Sequence, residues 1–79
     1  MIDEIVVKNT AKMIFDEMGV PWSVGLVVDD TPSDQWILSV HIESPKKTVQ
    51  FVIPKGSFPE IEKSIRGHVR FQQEKLESN

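Results

Sequence analysis

The stretch "WILSVHIESPKKTVQFVI", residues 36–53, decides the fold. Trp36, Leu38, Val40 and Ile42 alternate with Ile37, Ser39, His41 and Glu43, and the alternation resumes at Val49, Phe51 and Ile53. Period two places each set on one face of a strand. Two such runs joined by a few turn-forming residues make an antiparallel hairpin. A four-residue loop, Ser44 to Lys47, sets Glu43 opposite Thr48, His41 opposite Gln50 and Ser39 opposite Val52. The inward pairs are then Ile42 with Val49, Val40 with Phe51, and Leu38 with Ile53. A slip of one residue would set apolar against polar along the whole strand. Proline after serine, at the second turn position, suits a type I turn.

Working outward, "WSVGLVVD", residues 22–29, alternates too. Trp22, Val24, Leu26 and Val28 are expected inward, and Ser23, Gly25, Val27 and Asp29 outward. The loop "DTPSDQ" leads into the next strand. Before it, Val7, Ala11, Ile14, Phe15 and Met18 recur at helical spacing within residues 2–18, with Gly19 as C-terminal cap and Pro21 as a stop. After it, Ser57 and Glu60 form a capping-box pattern with Pro59 in the first turn. Phe58, Ile61, Ile65, Val69 and Leu76 make the buried stripe of a helix reaching about residue 76. Gly67 inside it costs about 1 kcal/mol relative to alanine.

The expectation is an α+β two-layer sandwich in the order α-β-β-β-α. A three-stranded antiparallel meander carries both helices on one face. Residues 1–79 read as a single domain, and its ending "KLESN" suits a complete small protein. A composition of 39% hydrophobic and 27% charged residues is that of a globular chain. With no cysteine, disulfides and thiolate metal sites are excluded. No signal peptide or membrane-length apolar run is visible, so the expected location is cytoplasmic. Residues 1–43 hold eight acidic side chains against two basic, and residues 44–79 hold seven basic against four acidic. Such a split suits an anionic partner, or halves that attract each other within or between chains.

Ser44-Pro45-Lys46-Lys47 resembles the SPKK elements of linker-histone tails, which contact DNA. Hairpin geometry accounts for the same residues, and two lysines suit a solvated turn. The element order resembles that of double-stranded RNA-binding domains. That family presents a histidine-bearing loop between its first strands and a lysine cluster opening its last helix. Here the loop is "DDTPSDQ" and the helix opens with Glu60 and Glu62, so no functional residue carries over. A different basic surface, Lys46 and Lys47 with Lys63, Arg66 and Arg70, is the basis of an alternative nucleic-acid reading.

Ser23, His41 and Glu43 make a Ser-His-acid set on the outer face. An open sheet offers neither oxyanion hole nor substrate cleft, so no catalytic residue and no enzyme is expected. His41 and Glu43 are too few ligands for a metal, and His68 is expected at the core margin. No cofactor is expected, because no phosphate loop or dinucleotide fingerprint is present.

Val27, Ile37 and Val52 are expected to cluster on the face the helices leave open. Phe71 lies off the buried stripe of the last helix. These four residues are the expected protein interface, through a homodimer formed face to face or by edge pairing. A helix followed by three strands in a small acidic protein also resembles type III secretion chaperones. That resemblance implies dimerisation. The leading expectation is thus a non-enzymatic protein-interaction module, with self or another protein as partner and no membrane.

Overall fold

The computed structural model describes residues 1–77. The order is α1 (Glu4–Glu17), β1 (Ser23–Asp30), a 3-10 turn (Thr31–Ser33), β2 (Gln35–Glu43), β3 (Lys46–Pro54) and α2 (Phe58–Glu77). The strands form one antiparallel sheet in the order β1-β2-β3. The helices pack against each other, α1 on β1 and α2 on β3. This is the expected α+β arrangement.

Local chemistry sets the helix ends. Asp3 accepts a hydrogen bond from Val6 N–H at 3.0 Å and caps α1. Gly19 ends that helix at a φ of 67°, a conformation glycine adopts without a Cβ penalty. At α2 the capping box forms: Ser57 N–H donates to Glu60 Oε1 at 3.0 Å, and Glu60 N–H donates to Ser57 Oγ at 3.4 Å.

The core lies between the layers. Val7, Ala11, Ile14 and Phe15 from α1 meet Ile61, Ile65 and Val69 from α2 over Val24, Trp36, Leu38, Val40, Ile42, Phe51 and Ile53. Phe15, Trp22 and Phe51 pack edge to face, with ring centroids 5.8 to 6.5 Å apart. Phe58, expected in the buried stripe, is 41% exposed, while Leu76 packs on the core margin.

Two strand pairings differ from the sequence expectation. In the hairpin, Glu43 pairs with Lys46, Val40 with Val49, Leu38 with Phe51 and Ile37 with Val52. The turn is thus two residues, Ser44-Pro45, with a cis peptide bond and proline at the third turn position, as in a type VI turn. The slip is two residues, so every inward side chain still faces inward. Lys46 and Lys47 belong to β3 rather than to the loop.

The second difference lies in β1. Val24 pairs with Val40, but Val27 pairs with Leu38 and Val28 with Ile37. Gly25 and Leu26 together oppose Ser39, a bulge of one extra residue. The bulge reverses the faces of the rest of the strand. Val27 turns inward and packs on the core, while Val28 turns outward at 41% exposed.

Candidate functional site

The sheet face opposite the helices is built by register. Val28, Ile37 and Val52 are directly paired across β1, β2 and β3 and form one apolar row through the whole sheet. Val52 is 42% exposed, Ile37 is half-buried, and Leu26 in the bulge is 63% exposed. Polar rows flank this band, Ser39 with Gln50 on one side and Asp30, Gln35 and Pro54 on the other. Gln35 Nε2 donates to Asp30 Oδ2 at 2.9 Å and holds that end of the face in place.

Ile37 and Val52 therefore lie where the alternation puts them. Val27 does not, because the bulge sends it to the core, and Val28 and Leu26 take its place. The missed signal is in the sequence. Leu26, Val27 and Val28 are apolar in either phase, and glycine within a strand marks a bulge or a close approach. Here it marks both: a methyl group on Gly25 would fall 2.5 Å from His41 Nε2.

Phe71 is 60% exposed, but it belongs to a different surface. It lies on the flank of α2 beside the free edge of β3, where a groove is lined by Gln50, Ser64, Gly67, His68 and Gln72. His68 Nε2 donates to the Val52 carbonyl at 2.9 Å, and its ring stacks on Phe51. The structure thus separates the four expected interface residues: Ile37 and Val52 lie on the open face, Phe71 lies beside the β3 edge, and Val27 packs on the core.

The basic residues are dispersed as well. Arg66 donates to Glu17 at 2.7 Å and ties α2 to α1. Lys55 pairs with Asp29 and lies 4.7 Å from the Trp36 ring centroid, a cation–π contact. These pairs join the acidic N-terminal half to the basic C-terminal half within one chain. Lys63 and Arg70 are exposed on α2, and Lys46 and Lys47 lie on β3 beside the hairpin turn.

Ser23 and His41 are cross-strand partners. His41 Nδ1 is 2.9 Å from Thr48 Oγ1, so its ordering partner is a hydroxyl rather than Glu43. Among the described residues, no three His, Cys, Asp or Glu side chains are grouped as metal ligands. No described helix is long and apolar enough to cross a membrane.

Comparison with protein-family models, with curated proteins and with solved structures gives no match.

Proposed function

We propose that this domain is a non-enzymatic protein-interaction module that self-associates through the open face of its sheet. One observation carries the reading: the apolar row Val28–Ile37–Val52, with Leu26 beside it, crosses all three strands with no described helix over it. Single exposed valines are ordinary, but a contiguous apolar band is the usual mark of a contact surface. A second copy is the occupant favoured here. A row that spans the sheet is its own complement about a two-fold axis lying in the interface. A 79-residue chain buries a modest share of its surface alone, and dimerisation is a common remedy.

Light scattering at low and high salt tests this. An apolar interface gives a dimer mass at both salt concentrations. Ile37→Lys with Val52→Lys yields a folded monomer. A double variant that still dimerises sinks the proposal, and so does a wild-type monomer across the micromolar range.

A further inference from the structure

Two packed helices span about 20 Å and three strands about 14 Å, and α2 lies over β3, which is an edge strand. There Gly67 faces open space, with no atom of the described residues within 4 Å of a Cβ built on it, and Phe71 stands exposed. Gln72, on the same groove, has a buried Oε1 with no hydrogen-bond donor among the described residues. The Val52 carbonyl points away from β2, since it accepts from His68 on α2. Residues of equal parity in a strand direct their backbone groups the same way. The N–H and C=O of Thr48 and Gln50 therefore face the free edge.

From this geometry we infer a second docking site. An extended acidic segment of another protein binds along β3 as a fourth strand, beneath the flank of α2. Its backbone pairs with Thr48 and Gln50, and a small apolar side chain fills the space between Gly67 and Phe71.

Charge and space choose this occupant. Lys63 lines the adjoining pocket, which shares Ser64 and Gly67 with this groove. Glu60 is held by Ser57 and Lys55 by Asp29, whereas Lys63 has no ion-pair partner among the described residues. A carboxylate on the incoming segment complements it. A second copy joined β3 to β3 does not fit. Each α2 lies over its own β3. Paired strands sit about 5 Å apart, whereas packed helices need about 8–10 Å. The occupant is therefore a bare strand with no helix above it.

The test is titration of the isotope-labelled protein with a capped peptide of alternating glutamate and valine, followed by amide shifts. The expected result is saturable movement of Thr48, Gln50, Gly67 and Phe71, reduced when lysine replaces glutamate in the peptide. A Cβ at Gly67 meets no described atom within 4 Å and leucine raises helix propensity, so Gly67→Leu is expected to fold, to project its side chain into the groove and to lose the response. Gln50→Pro removes an edge donor outside the β2–β3 ladder and also loses it. The inference is overturned if millimolar peptide leaves Thr48 and Gln50 unmoved, or if Gly67→Leu binds as well as the wild type. Shifts confined to Val28 and Ile37 would assign the peptide to the open face. Movement of Thr48 and Gln50 on concentrating the protein alone would assign the edge to a second copy. Either outcome overturns it.

Discussion

His68 Nε2 lies 2.9 Å from the carbonyl oxygen of Val52. The same imidazole stacks on Phe51 at a centroid distance of 4.9 Å and an interplanar angle of 13°. One side chain thus ties α2 to β3 twice, through an edge carbonyl and through a fully buried ring. Because a carbonyl only accepts, Nε2 carries the proton. Replacing His68 with Ala leaves the carbonyl to solvent and removes the stacking surface. The expected loss is about 1–2 kcal/mol, read as a lower urea midpoint with an unchanged slope. An unaltered midpoint would mean that the contact contributes nothing to stability.

The bulge at Gly25 and Leu26 makes neighbouring valines behave oppositely. Val27 packs on the core and Val28 lies on the open face. Val27→Lys is expected to destabilise the fold by about 2 kcal/mol through lost burial and a misplaced charge. Val28→Lys is expected to change stability by less than about 0.5 kcal/mol, while lowering the dimer fraction. Chemical denaturation of both variants beside light scattering separates the two effects. The reverse order of stabilities would restore an unbulged strand.

Acid sensitivity follows from two exposed carboxylates. The Lys55 ammonium bonded to Asp29, aided by the Thr31 hydroxyl, holds that carboxyl below its ordinary value. The Ser57 backbone N–H and hydroxyl do the same for Glu60. A carboxyl with a depressed folded pKa contributes stability that is present above its unfolded pKa, about 4, and is lost as pH falls through the folded value. Urea midpoints are therefore expected to hold from pH 7 to about 5 and to fall below that. Asp29→Asn combined with Glu60→Gln flattens the acid limb. An acid limb of unchanged steepness in the double variant would place the sensitivity elsewhere.

What sequence alone determined here is which elements form and, apart from β1 and Phe58, which faces they bury. The alternation of Trp36, Leu38, Val40 and Ile42 against Phe51 and Ile53 makes those positions inward under any even register. The capping pairs and Gly19 act locally, so they too were legible. Three matters needed the tertiary structure. The hairpin register was one, because a two-residue slip preserves every face and only the geometry at Ser44-Pro45 separates the alternatives. The phase of β1 was another. Leu26, Val27 and Val28 satisfy either phase, and the packing of α1 over the strand, with His41 against Gly25, selects the bulged one. Last came the partners of the charges. Glu17 and Arg66 are far apart in sequence, and only the pairing of α1 with α2 brings them to 2.7 Å. Local periodicity encodes burial, but it carries no information about which distant surface completes a contact.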